Sequence, residues 1–352
     1  MISYRFTFAI CAALALMLGV SSAVSALQVE SAVPLPVPWR HGVCTELTFR
    51  VALNPDQPRT QKIHGVYCIP RGWQLRERQL DILTAGATYS HLYWNWPQTP
   101  LLYSYVEKTL RVNRSVFIYD RLGSGKSSHP SSTLISMDAD AYILHELISH
   151  FYHEGYKRIN SIGHSYGSGI AMHEAAVYQD VGCLVLTGYL HAPRNAVVAD
   201  ATYPAAQDPQ FAGQELDNGY LTTKPGTRAT SFYSASADPG VIAFDEAHKD
   251  LVSATGFGGF FGDRTVAAGS NLSNSIKAPV LLVVGELDAT GCFQGSGIDC
   301  THKDAVLAHE KPYYTSAASL EVDTIADTGH DLTLHPTAEQ SFEIINSWLN
   351  KQ

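Results

Sequence analysis

Arg158 to Ala171 reads R-I-N-S-I-G-H-S-Y-G-S-G-I-A. The apolar run Ile159 to Ile162 leads into Gly163-His-Ser-Tyr-Gly167, and a helix is expected from about Tyr166. This is G-x-S-x-G between a strand and a helix. The two glycines have a steric reason. A serine at the tip of so sharp a turn takes a strained backbone, and side chains two residues away on either side would collide. The serine oxygen then projects above a sheet edge, with the N-terminus of a helix favouring developing negative charge beside it.

Outward from this turn, the chain repeats the same rhythm. Leu80 to Thr84, Ser115 to Tyr119, Cys183 to Leu186 and Val280 to Val284 are short apolar runs of the kind buried on both faces of a parallel sheet. Between them lie helical patterns. Leu144, Leu147, Ile148 and Phe151 recur at helical spacing, and Ala338 to Leu349 places Phe342, Ile345, Trp348 and Leu349 on one face. Strands alternating with helices predict a doubly wound α/β sheet. Thr45 to Leu53 and Lys62 to Ile69 alternate in polarity and precede it as an antiparallel pair. One interval breaks the rhythm. Residues 189–277 are far more than a crossover needs, and they carry Phe232, Tyr233, Phe244, Phe257, Phe260 and Phe261. The interval, with a helical piece over Pro239 to Ala254, is expected to be a helical cap over the C-terminal edge of the sheet, where α/β proteins bind ligands. The core is then 27–188 with 278–352.

A serine at neutral pH needs a base, oriented in turn by a third group. The order Ser, acid, His directs the search downstream. Asp288 follows the Val280 run, within Gly285-Glu-Leu-Asp288. His330 follows the run Leu320 to Ile325, within Thr328-Gly-His330. Glu286 and His335 are the rivals for acid and base. A surface acid and a loop histidine could also be all that these positions hold in a chain with 15 histidines. Acyl transfer also requires donors for an oxyanion. The N–H of Tyr166 is one candidate and that of Ala87, in the loop Ala85-Gly-Ala-Thr88, the other. Tyr89, His91, Trp94 and Trp96 follow this loop as candidate pocket residues, or as packing beneath the cap.

Two other motifs fail on spacing. Gly123-Ser-Gly-Lys-Ser127 resembles the end of a phosphate loop, but the position that needs the first glycine is Asp120. His145 and His150 resemble a zinc helix, but five residues separate them by about 140°. They are expected, with His153, on a polar helix face. No metal and no organic cofactor is expected.

The N-terminus predicts export. Phe6 to Val20 is a continuous apolar core after Arg5, and Val24-Ser25-Ala26 ends a small-residue stretch, so residues 1–26 read as a cleaved signal peptide. Cys11 leaves with it. Cys292 and Cys300 bracket a short loop and are expected to pair. Cys44 and Cys68 lie near the ends of adjacent strands and could pair across them, leaving Cys183 a buried thiol. Asn113 and Asn271 head N-glycosylation triplets. Of 352 residues 45% are hydrophobic and 16% charged, which excludes a disordered chain, and a net charge of −9 disfavours nucleic acid as a partner. No membrane span is expected once the signal is removed.

At this point the chain resembles the α/β-hydrolase superfamily over nearly all of its mature length. The elbow and the triad order carry the resemblance, together with Asp120-Arg-Leu-Gly-Ser-Gly125, which looks like that family's D-R-x-G-x-G segment, and Ala85-Gly-Ala-Thr-Tyr89, which looks like its oxyanion loop. Many members have His where this chain has Ala85, so the side chain that steadies the loop is missing. The signal peptide, the cysteine pairs and Tyr93-Trp-Asn-Trp-Pro97 look like secreted fungal members. The resemblance implies the α/β-hydrolase fold and a Ser165–His330–Asp288 triad. A secreted hydrolase of a bulky or apolar carboxylic ester, lactone or thioester is the leading expectation. A tailoring hydrolase or cyclase of fungal polyketide (secondary metabolite) biosynthesis is the second, and a non-catalytic binding protein on the same scaffold the third.

Overall fold

The computed structural model describes residues 27–35, 41–72 and 79–352. The expected signal peptide, residues 1–26 with Cys11, lies outside the described residues. Among the described residues no helix is long and apolar enough to cross a membrane.

Among the described residues, nine strands form the main sheet. In chain order the first seven are β1 (Val29–Pro34), β2 (Gly42–Val51), β3 (Gln61–Pro70), β4 (Gln79–Thr84), β5 (Ser115–Tyr119), β6 (Arg158–His164) and β7 (Cys183–Thr187). The long interval then contributes β8 (Thr202–Pro204), β9 (Tyr220–Thr223) and β10 (Val252–Ser253), and the core resumes with β11 (Val280–Gly285) and β12 (Leu320–Ile325). The main sheet runs β1-β2-β3-β5-β4-β6-β7-β11-β12. Its first three pairings are antiparallel and the remainder parallel.

The apolar runs work because both faces of these strands are covered. Leu80 and Ile82, Leu184 and Leu186, and Val280, Leu282 and Val284 enter one core cluster. Leu83, Val185, Leu281 and Val283 enter the other, on the opposite face of the sheet. The helix Met137–His153, opened by Ser136 accepting from the Ala139 N–H, buries Leu144, Leu147, Ile148 and Phe151 against the first. The helix Ala338–Leu349 buries Phe342, Ile345 and Trp348 against the second. Cys44 and Cys68 stand opposite each other in the β2–β3 register and are joined, as are Cys292 and Cys300. Cys183 is free and buried, with Arg158 Nη2 2.7 Å from its sulfur.

Four expectations need correction. The interval 189–277 is not purely helical, since β8, β9 and β10 make a three-stranded antiparallel sheet within it. The helix expected over Pro239 to Ala254 ends at Ala247; His248 caps it, and the chain extends through β10 into a second helix, Ala254–Thr265. His150 is not on a polar face but is buried, edge-on to Phe49 and Phe151. Asn271 is buried and caps a short turn. Its Nδ2 donates to Asp263 O and its Oδ1 accepts from Ser273, so its amide is not free to carry a glycan. Asn113 is exposed.

Candidate active site

The parallel strands bring the motifs together. Their register places Thr84, Tyr119, His164, Thr187, Gly285 and Ile325 along one edge of the sheet. The loops that follow carry Ala87, Arg121, Ser165, Asp288 and His330.

Ser165 sits at the tip of the turn after β6 with φ 52° and ψ −118°, a conformation that stores strain. A Cβ on Gly163 would lie 2.4 Å from Gly167 O, and one on Gly167 would lie 2.2 Å from Thr84 O. The two glycines are therefore required by backbone contact. The helix Tyr166–Val177 starts immediately after the serine.

His330 and Asp288 are both buried, and His330 Nδ1 lies 2.9 Å from Asp288 Oδ2. Thr290 completes the arrangement: its N–H and its hydroxyl both donate to Asp288 Oδ1 at 2.7 Å. Burial opposes the charge on Asp288, yet His330 and Thr290 outweigh it and hold the carboxyl at about 2. Burial likewise opposes a charged His330, but Asp288 wins and raises the imidazole above its ordinary value. The rivals point elsewhere. Glu286 accepts the Asp327 N–H at 3.4 Å. His335 accepts from the N–H groups of Ser234 and Gly329 at Nε2 and donates from Nδ1 to Asp331 O, so both its nitrogens are used.

Ser165 and His330 line one narrow cavity, with Ala87 and Tyr89 beside them. From the interval come Phe232, Phe257, Phe260, Phe261 and Arg264. Among the described residues, no protein acceptor takes the N–H of Ala87 or of Tyr166. Of the four expected pocket residues only Tyr89 lines this cavity. His91 instead gives both its N–H and its Nδ1 to Asp120 at 2.8 Å. Trp94 is buried edge-on to Tyr93 and Tyr105, and Trp96 edge-on to Phe244 of the interval, so both are packing groups.

The D-R-x-G-x-G segment has a clear mechanical role. Asp120 accepts from His64, twice from His91 and from the Lys126 N–H. These donors overcome burial and hold its carboxyl well below the usual range. The next residue, Arg121, donates from Nε to Ala85 O at 3.1 Å and from Nη2 towards Gly86 O, Tyr89 O and Leu251 O. The loop that lacks a histidine at Ala85 is thus held from below by a buried guanidinium.

A second polar cluster backs the site. His164, Asp331, Tyr89, Asp245 and Arg228 are all buried. Arg228 reaches Asp245 through Nε and Nη2 at 2.7 and 2.9 Å, and Tyr233 donates to Asp245 at 2.9 Å. Tyr89 has a single hydroxyl hydrogen and two carboxylates in reach, Asp245 at 3.0 Å and Asp331 closer still. Thr187 Oγ1 donates to Gly163 O, so it accepts from His164 Nδ1 at 3.1 Å. The other nitrogen of a neutral His164 is then an acceptor, and it faces Asp331 Oδ1 at 3.2 Å. Every group is satisfied if Asp331 carries the proton, donates it to His164 and accepts from Tyr89. Burial pushes in the same direction, raising Asp331 and lowering His164 well below the histidine range. Both residues flank the motif positions Ser165 and His330, but spacing alone did not single them out. Arg228 and Asp245 lie in the unpatterned interval, where the sequence offered no signal.

The comparisons agree with this architecture. Residues 82–340 match the family model described as "Alpha/beta hydrolase family". Among solved structures, a thermophilic esterase from Thermogutta terrifontis with malate bound is similar at TM-score 0.59 and 19% identity, covering 85% of this chain and 97% of that one. The enol-lactonase from Burkholderia xenovorans LB400 is similar at TM-score 0.55 and 14% identity, covering 82% and 97%. An esterase from Exiguobacterium antarcticum is similar at TM-score 0.54 and 14% identity, covering 82% and 96%. No curated protein sequence matches the chain.

Proposed function

Because the chain belongs to the alpha/beta-hydrolase family, we propose that it is a serine hydrolase that cleaves a carboxylic ester, lactone or thioester through an acyl-enzyme. The observation that carries this reading is the joint placement of Ser165 and His330 in one cavity, with His330 bonded to a buried Asp288. Ser165 Oγ attacks the carbonyl carbon while His330 Nε2 takes its proton. The N–H groups of Ala87 and Tyr166 meet the oxyanion. The carbonyl re-forms, the bond to the leaving group breaks, and that group takes the proton from His330. Water, deprotonated by the same histidine, then releases the acid and restores Ser165. Asp288 orients His330 and stabilises its charged form. These steps call on no metal or organic cofactor.

The interval 189–277 is proposed as the cap, since its four phenylalanines face the cavity and suit a bulky apolar substrate. That lining also favours a tailoring hydrolase or cyclase of secondary metabolism as a second reading, with the same residues in the same roles. Export with removal of residues 1–26 belongs to the proposal as well. The two disulfides and the exposed Asn113 are compatible with an oxidising compartment.

The test is covalent labelling with a fluorophosphonate probe, followed by a panel of esters and lactones. Labelling at Ser165 is expected, and Ser165→Ala should abolish both labelling and turnover while the protein stays folded. Folded wild-type protein that takes no label would sink the hydrolase reading and favour a binding role. Broad short-chain esterase activity would separate the first reading from a tailoring enzyme confined to one complex metabolite.

A further inference from the structure

Arg264, in the last turn of the helix Ala254–Thr265, lines the cavity shared by Ser165 and His330, yet only 2% of its surface is exposed. Nε donates to Leu190 O at 2.8 Å and Nη2 to Thr290 O at 2.9 Å. Nη1 donates to no group among the described residues. The two acids that act on its charge are already taken: Glu310 by His191 at 2.7 Å and Asp288 by His330 at 2.9 Å. The rest of the surroundings are aromatic, with Phe260, Phe261 and Tyr189 centred 5.4, 5.8 and 5.9 Å from the guanidinium carbon. The cavity lining contains no Asp or Glu.

An arginine stays charged in such a place. Burial pushes its pKa down, while Tyr189, Asp288 and Glu310 work in the opposite direction. A guanidinium almost wholly withdrawn from water among phenylalanines, with one nitrogen that no described group accepts from and that reaches the cavity, gains from an acceptor brought into that cavity. Two backbone carbonyls and three ring faces offset part of that cost but supply no negative charge.

We infer that Arg264 is an anion-reading group of this cavity, and that the substrate carries a carboxylate near the carbonyl that Ser165 attacks. The inference rests on the cavity being the substrate site of the proposed hydrolase. Contacts also connect Arg264 with the proposed triad. Arg264 Nη2 holds Thr290 O, and Thr290 Oγ1 is 3.1 Å from His330 Nδ1. Arg264 is thus tied through Thr290 to the residues that orient His330, and it lines the same cavity as Ser165. A half-ester or a carboxylated lactone fits this arrangement better than a neutral ester. Guanidinium suits the task because its planar fork can keep its two backbone bonds and still present an N–H edge to a carboxylate.

The experiment measures binding to the Ser165→Ala protein by calorimetry, with 3-phenylpropanoate and the uncharged 3-phenylpropanamide as probes. The carboxylate is expected to bind about tenfold or more tightly than the amide. Adding Arg264→Met should bring that ratio close to one, and Arg264→Lys should keep part of it. A residue that only held Leu190 and Thr290 in place would change both affinities alike. Equal affinities in the Ser165→Ala protein, no binding of the carboxylate, or a preference that survives Arg264→Met would each overturn the inference. The Ser165→Ala comparison stands even where Arg264→Met fails to fold. Binding here needs no serine hydroxyl, so a failure of fluorophosphonate labelling would strike the hydrolase reading alone.

Discussion

His330 stands between two buried aspartates that behave in opposite ways. On one side Asp288 receives two donors from Thr290 and faces the imidazole, and its carboxyl sits at about 2. On the other side Asp331, the next residue in the chain, faces an acceptor nitrogen of His164 and the hydroxyl of Tyr89, and burial raises it. Equal chemistry and equal burial thus pull the two carboxyls in opposite directions, Asp288 towards the anion and Asp331 towards the neutral acid. The difference lies in the neighbours: hydrogens aimed at Asp288 stabilise its charge, whereas a lone pair aimed at Asp331 favours its protonated form. A single anion beside His330 orients it, while a second would compete for the same imidazolium.

The largest expected effect tests the charged member. Asp288→Asn should lower kcat by about four orders of magnitude, because the amide offers a hydrogen where the imidazole needs an acceptor. Steady-state kinetics on a simple aryl ester measures this, and a loss below tenfold would remove Asp288 from the proposed triad.

The next effect tests the cluster behind Asp331. Arg228→Met leaves Asp245 buried without its cation and should cost about 3–5 kcal/mol of stability. Urea unfolding reads this directly. Replacing Arg228 and Asp245 together by apolar residues should recover most of the loss.

A smaller effect appears in the pH profile. Asp288 raises the pKa of His330 above its ordinary 6.5, and catalysis needs the neutral ring. The acid limb of kcat/KM should therefore fall above pH 6.5, with activity lost as the pH drops through it. A limb well below that value would contradict the charge assigned to Asp288.

The smallest effect is the sharpest. An asparagine at 331 can donate to His164 through its nitrogen and accept from Tyr89 through its oxygen, as a protonated aspartate does. Asp331→Asn should hence change kcat/KM by less than about fivefold, whereas Asp331→Ala, which leaves both partners unmatched, should cost about 1–3 kcal/mol in stability. A collapse of activity in Asp331→Asn would mean that Asp331 is charged.

The same contrast marks what could be read from the sequence. The parallel strands were legible because burial on both faces leaves continuous apolar runs, as at Val280 to Val284. Ser165, Asp288 and His330 are legible as candidates because each follows a strand end in a recognisable order. β1 was missed since its side chains are exposed and carry no alternation. β8 and β10 are three and two residues long, too short for any period to register. Trp94 and Trp96 were placed in the right loop, but spacing does not say whether a ring faces a cavity or the core. Arg228 and Asp245 meet only through the tertiary fold.

Arg121 holds Ala85, Gly86 and Tyr89 on one side and Leu251 of the interval on the other. A guanidinium shared in this way cannot let go of one carbonyl without loosening its grip on the rest. The roof over the cavity is thus not hinged independently of its floor. Amide hydrogens around Gly86 and around Leu251 should exchange with solvent in step, at a common opening rate, and each opening would unseat the loop proposed to meet the oxyanion at the moment it admits water.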